Sequence, residues 1–508
     1  MAEGSPAAEI AAGYVSEGAA VELGAVVVDG VADAGAAVRL PLATLNRHGL
    51  VAGATGTGKT KTLQLISEQL SAAGVPVVLA DVKGDLSGLA AAGEPGDKLA
   101  KRAEELGDDW QPSAFPAQFL SLGTGGKGVP IRATITSFGP VLLSKVLGLN
   151  ETQESTLGLI FHWADQRGLA LLDTKDLRSV ITHLTSDEGK ADLKGIGGVS
   201  AATAGVILRA LSNLEAQGGE DFFGEPELDV ADLMREVDGK GVVSLLELDN
   251  LQSKPALFST FLMWLLAELF EELPEAGDLD KPKLVFFFDE AHLLFSEASK
   301  AFLERIEQTV KLIRSKGVGV FFCTQLPTDV PNSVLSQLGA RVQHAIRAFT
   351  PEDQKALTKT VKTYPTTKHY KLDEALTSLG IGEAIVTVLS ERGAPTPVAW
   401  TRLRAPRSKM GSIGDDAVVS SAKSSDLNAK YAETIDRESA YEKLAAKVNA
   451  SEAPQPEEAP AAQPKQEAEG PGFIEQAMKN PALKSFMRSA ASALGREVTR
   501  GLFGNRRR

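Results

Sequence analysis

The chain predicts an α/β fold built on a mainly parallel sheet. Three observations carry that prediction. Apolar runs of strand length alternate with segments of helical spacing, as in doubly wound sheets. One such run, His48-Gly-Leu-Val-Ala52, passes through a glycine-rich loop into a segment whose Leu63, Ile66 and Leu70 share one helical side. Another, Leu284-Val-Phe-Phe-Phe288, is apolar throughout and ends in the paired carboxylates Asp289 and Glu290. A continuous apolar run of that kind is a strand buried on both faces. Strands are expected near 48–52, 75–80, 241–248, 284–289, 318–324, 341–347 and 384–389.

The loop reads Gly53-Ala54-Thr55-Gly56-Thr57-Gly58-Lys59-Thr60, the pattern G-x-x-x-x-G-K-[ST]. Glycines let the backbone turn tightly, so that successive N–H groups can face phosphate oxygens. Lys59 can reach the β- and γ-phosphates, and the Thr60 hydroxyl can ligate Mg²⁺. A plain glycine turn before a helix is the bland alternative. The strand before the loop and the helix after it favour nucleotide binding, because a helix N-terminus adds its dipole to the free N–H groups.

Hydrolysis needs more than a phosphate cradle. Two carboxylates at the end of a buried strand are costly to desolvate without partners or work, and open α/β sheets place ligands at strand ends. Asp289 is therefore assigned to Mg²⁺ and Glu290 to the attacking water; a helix cap is the alternative for Asp289. The string Asp289-Glu-Ala-His292 also occurs in two-lobed helicases. No arginine-rich second-lobe motif follows residue 350, and Pro351–Trp400 is too short for another lobe. A third apolar strand near 318–324 ends at Gln325, placed to sense the γ-phosphate or orient water, and Arg314 precedes it.

Together these motifs resemble the HerA–FtsK superfamily, and most of all the stand-alone bacterial proteins with a HerA-like helicase domain. The residues that carry the likeness are Gly53–Thr60, Asp81-Val-Lys-Gly84, Phe288–His292, Arg314-Ser-Lys-Gly317 with Thr324-Gln325, and Arg347 with Asp353. The resemblance implies a RecA-like P-loop NTPase core, ATP and Mg²⁺ as cofactors, and a hexameric ring that translocates DNA. It also implies an arginine finger reaching a neighbour's nucleotide. Arg314 occupies the matching position, with Arg341 and Arg347 as alternates. HerA proteins usually begin with a β-barrel; residues 1–47 are expected to form only a short segment with one strand at Val21–Val28.

Composition agrees with a large ATPase. The 508 residues carry 53 Lys+Arg against 66 Asp+Glu, a net charge of −13, which excludes a simple basic DNA-coating protein. A ring acidic outside with a few basic pore loops stays compatible with DNA. One cysteine, Cys323, excludes an intrachain disulfide and points to a reducing, cytoplasmic setting. The start of the chain lacks the features of a signal peptide. Ala256–Phe270 is too short to span a membrane and is expected to be a buried helix. Six scattered histidines give no zinc pattern, so His292 is read as a polar neighbour of the site.

The ATPase domain is expected over 48–405, with a helical insertion at about 144–215. Within it, Gly123–Gly128 is read as a hairpin tip carrying Lys127, a pore-loop candidate, and Asp81 as either a turn residue or a metal-region carboxylate. Residues 406–450 form a helical or irregular extension, and 451–472, rich in Pro, Ala, Glu and Gln, a disordered linker. In 473–508, Leu483, Met487, Ala490, Leu494, Val498 and Leu502 fall at helical spacing among arginines. This basic amphipathic helix would dock on the acidic body or recruit a protein, nucleic acid or membrane surface. Two functions follow: a DNA-translocating ATPase ring, or an ATP-controlled assembly ATPase acting on protein partners.

Overall fold

The computed structural model describes residues 4–452 apart from 82–83, 194–196, 217, 248–254, 278 and 296–299. Of the disordered linker expected at 451–472, residues 451 and 452 instead end the helix Ala440–Glu452; the rest of it and the basic helix expected at 473–508 lie outside the described residues. Residues Met1–Lys447 form one compact unit.

The strands are β1 (Ala20–Val28), β2 (Val31–Pro41), β3 (Gly49–Ala52), β4 (Val77–Asp81), β5 (Ala117–Leu122), β6 (Val129–Ile131), β7 (Glu236–Val237), β8 (Lys240–Gly241), β9 (Val243–Glu247), β10 (Leu284–Phe288), β11 (Val318–Thr324), β12 (Ala340–Gln343), β13 (Glu383–Thr387) and β14 (Ala399–Leu403). All but the small β7–β8 ribbon join one sheet of 12 strands, ordered β2-β1-β14-β13-β12-β3-β11-β10-β4-β9-β5-β6. From β12 to β6 every pairing is parallel. From β13 to β2 every pairing is antiparallel.

Alternate residues of each central strand feed separate cores. Leu284, Phe286 and Phe288 pack into one core with Phe261, Trp264 and Leu265 of the helix Pro255–Glu272 and with the helices of the insertion. Val285 and Phe287 pack into the other with Leu63, Ile66 and Leu70 of the helix Lys59–Ala72. A strand with period two that is apolar at every position has to be covered on both sides. The mainly parallel α/β fold is thus present. The helices Glu151–Gln166 and Ala201–Ala216 lie in the helical insertion expected at about 144–215. No described helix is long and apolar enough to cross a membrane.

Three local readings need correction. The first 47 residues hold two long strands, not one. Asp29 (φ 51°) and Gly30 (φ 79°) turn β1 into β2 with left-handed backbone at both positions, the geometry that an Asp-Gly hairpin favours. β1 then pairs with β14, so the hairpin extends the sheet. Gly123–Gly128 is not a hairpin tip, because β5 and β6 run parallel. Lys127 there is ion-paired with Asp415 at 2.8 Å. The strand expected at 341–347 ends at Gln343, since the chain turns at His344 to meet the glycine loop.

Candidate nucleotide site

The glycine loop leaves β3 and enters the helix Lys59–Ala72. Gly53, Gly56 and Gly58 have φ of 153°, 79° and 117°. A Cβ on Gly53 would lie 2.5 Å from the His344 Cβ, and one on Gly58 3.3 Å from the Gly382 nitrogen. Both glycines are therefore needed for close approach as well as for backbone conformation. Ala54 N–H donates to the Ala345 carbonyl (2.9 Å), Gly53 N–H to the Thr324 carbonyl (3.2 Å) and Gly382 N–H to the Thr57 carbonyl (3.2 Å). Thr57 Oγ1 donates to the Ala54 carbonyl at 2.7 Å. The loop is thus braced by β11, β12 and the turn before β13. The Lys59 ammonium donates across the loop to the Gly53 carbonyl. Nothing lies within 4 Å of the position a Gly56 Cβ would take, so that side of the loop is open.

Parallel order brings the other groups to the same edge. β11 stands between β3 and β10, with Phe288 level with Phe322 and Phe322 level with Leu50. Asp289 and Glu290 consequently emerge two strands from the loop, about 10 Å away by interstrand spacing. Asp289 Oδ1 accepts from Glu290 N–H at 2.9 Å. Glu290 is left-handed, at φ 49°. A non-glycine residue there is strained, and such strain collects at functional sites. Its Oε2 is buried without a hydrogen-bond partner among the described residues; His292 Nδ1 lies 3.4 Å away. Burial raises the Cys323 thiol well above its ordinary range; Asp289 and Glu290 push it the same way, while Lys59 opposes them.

Gln325 is exposed one residue past β11 and directly follows Thr324, whose carbonyl holds Gly53. Asp81 ends β4 with Oδ1 accepting from Gly84 N–H (2.8 Å) and Oδ2 from Leu86 N–H (2.9 Å), which gives it the turn role. Arg314 lies elsewhere. It is exposed in the turn Arg314–Lys316 before β11, so the seven-residue strand separates it from its own chain's loop. That is about 20 Å by strand rise. Arg341 sits at the same far end of the sheet, near the start of β12, whereas Arg347 is exposed beyond the near end.

One participant escaped the sequence reading. His344 is fully buried behind the loop, its backbone N–H on the Ala52 carbonyl (2.7 Å) and its Nε2 2.8 Å from Thr62 Oγ1. Burial, aided by the nearby Lys59 charge, lowers its pKa to about 4. Only knowledge that β12 pairs with β3 could have found it.

The residues fit a nucleotide and a divalent cation. Glycines at positive φ form an open-sided cradle, and Glu290 Oε2 at the same end of the sheet is buried without a hydrogen-bond partner among the described residues. Thr60 and Asp289 are the oxygens suited to Mg²⁺, a hard cation.

A family model described as helicase HerA-like C-terminal matches residues 28–508. No curated protein matches the chain. Among solved structures, the unbound bacterial conjugative coupling protein TrwBdeltaN70 is similar at 16% identity and a TM-score of 0.51, covering 80% of this chain and 93% of that one. Plasmid coupling protein TrwB in complex with a non-hydrolysable ATP analogue has the same identity and score, covering 78% and 99%. VirB4 of Thermoanaerobacter pseudethanolicus is 15% identical, covering 77% and 98%, at a TM-score of 0.47.

Proposed function

Since the chain belongs to the helicase HerA-like C-terminal family and is a P-loop NTPase, we propose that it is an ATP-hydrolysing ring motor that translocates DNA in the cytoplasm. Glu290 Oε2, buried without a hydrogen-bond partner among the described residues at the strand end two strands from the phosphate loop, is the observation that carries the hydrolytic part. Coupling proteins similar in fold have been solved with an ATP analogue and with ADP and Mg²⁺, which supports the same ligands here.

The loop N–H groups and Lys59 would bind the phosphates, and Thr60 and Asp289 would hold Mg²⁺. The bound cation would neutralise charge on the β- and γ-phosphates. Glu290 orients the attacking water and takes its proton, and its confined carboxylate is preorganised for that task. Gln325 reports the γ-phosphate to β11. Arg314, too far from its own loop, serves the adjacent subunit, and a hexamer supplies that neighbour. Such a finger contributes about 10³–10⁵-fold in rate in related phosphoryl transfers.

The test is ATP turnover with and without DNA, with particle mass measured in nucleotide. Stimulation by DNA and a hexameric mass are expected. Mixed rings of Arg314→Ala and Glu290→Gln subunits should regain part of the activity each lacks alone, because the two lesions fall on opposite sides of a boundary. Full turnover by a dilute monomer would exclude the ring. Turnover indifferent to DNA would favour the assembly ATPase acting on protein partners.

A further inference from the structure

A cavity of about 650 Å³ opens at the far end of the strands that carry the phosphate loop. Arg47, Lys311, Arg314 and Arg341 line it, and none of its lining residues is an aspartate or glutamate. No ion pair among the described residues involves any of these four cations. Like charges gathered in one cleft repel one another unless an anion joins them. Arg341 is fixed in place: its guanidinium donates to the Thr363 carbonyl (2.9 Å) and the Leu335 carbonyl (3.4 Å) and stacks 6.0 Å over the Tyr364 ring. Tyr364 also lines the cavity, and its buried hydroxyl finds no hydrogen-bond partner among the described residues. A buried hydroxyl left unmatched is costly. Here it adds a neutral donor to a cationic wall.

We propose that this cavity is a phosphoanion receptor, taking a phosphate or pyrophosphate group on Arg47, Lys311, Arg314 and Arg341 with the Tyr364 hydroxyl as a further donor. Guanidinium groups match such oxygens in pairs. The ligand can come from solution or from a neighbouring subunit's nucleotide, and only the second source rests on the ring reading.

The experiment uses the full chain carrying Lys59→Ala, which removes the phosphate-loop contact, titrated calorimetrically with pyrophosphate at low salt. Saturable binding by the dilute monomer is expected. Adding Lys311→Ala with Arg314→Ala should weaken it by at least about tenfold, the worth of one lost charged hydrogen bond. Tyr364→Phe keeps the ring under Arg341 and should weaken it a few-fold. The second arm uses Glu290→Gln, which holds ATP without turning it over. If the monomer binds no pyrophosphate but ATP-driven assembly of Glu290→Gln subunits is loosened by the same changes, the phosphoanion is the neighbour's nucleotide. If pyrophosphate fails to bind and assembly ignores those changes, the proposal is overturned. A chain that stays monomeric in ATP yet binds pyrophosphate would sink the ring alone.

Discussion

Three buried groups couple this protein's stability to acid, and they act in opposite directions. His48 and His344 are both held neutral, with pKa lowered from 6.5 to about 4 chiefly by burial. His48 Nδ1 accepts from Val320 N–H (3.1 Å), and Nε2 lies 2.7 Å from the Val310 carbonyl. Glu68, inside the helix Lys59–Ala72, is raised from 4.5 to about 7 by burial, against donors from Arg407 and Ser408. Between pH 6.5 and 4 the unfolded chain binds protons at the histidines that the folded chain refuses, so stability falls with acid. Between pH 7 and 4.5 the folded chain holds a proton on Glu68 that the unfolded chain releases, so that contribution rises with acid. From pH 7.5 to 4.5, each histidine removes about 2.5 kcal/mol and Glu68 returns about 3, a net loss of about 2 kcal/mol. Urea unfolding followed by circular dichroism at several pH values measures this directly. Comparing variants cancels the titration of other groups. Glu68→Gln should steepen the acid loss to about 5 kcal/mol, whereas His48→Gln, which can donate to Val310 and accept from Val320, should leave it nearly flat. A Glu68→Gln protein less acid-sensitive than the parent would refute the reasoning.

Lys59→Ala should lose ATP affinity in a fluorescence titration, and unchanged affinity would remove the phosphate-loop assignment. Glu290→Gln should bind ATP normally and turn it over about 10²–10⁴-fold more slowly; a parental rate would move water activation to another residue. A chain ending at Glu452 should fold and bind nucleotide, since Met1–Lys447 is one compact unit; gel filtration and ATP titration check this, and loss of either property would give the tail a structural role.

What the sequence made legible was local. The glycine loop, the apolar run before Asp289 and the stripe Leu63, Ile66 and Leu70 each declare themselves within a dozen residues, because their physics is local. The Asp29-Gly30 turn was equally local and was passed over, although it joins two strands of 9 and 11 residues. β5 and β14 mix polar residues into short strands, and β6 is only three residues long, so their periodicity is weak. The left-handed backbone of Glu290 has no sequence signal at all, since glutamate rarely adopts it. His344 and the cationic cavity depend on strand order. Arg47 and Arg341 meet only because β12 lies beside β3, with nearly 300 residues between them in the chain.

Strand order also decides whether the carboxylates can act. Were β10 paired directly with β3, Asp289 and Glu290 would stand about 5 Å from the loop strand. That spacing would leave no room for a terminal phosphate between the loop and the carboxylates. With β11 between them the separation doubles to about 10 Å, enough for a terminal phosphate, a cation and a water in one row. At that spacing Glu290 Oε2 has no hydrogen-bond partner among the described residues and lies 3.4 Å from His292 Nδ1. β11 itself is buried throughout and carries no charged residue. Its place is therefore held by packing on both faces, and it spaces the charged groups without adding a charge of its own.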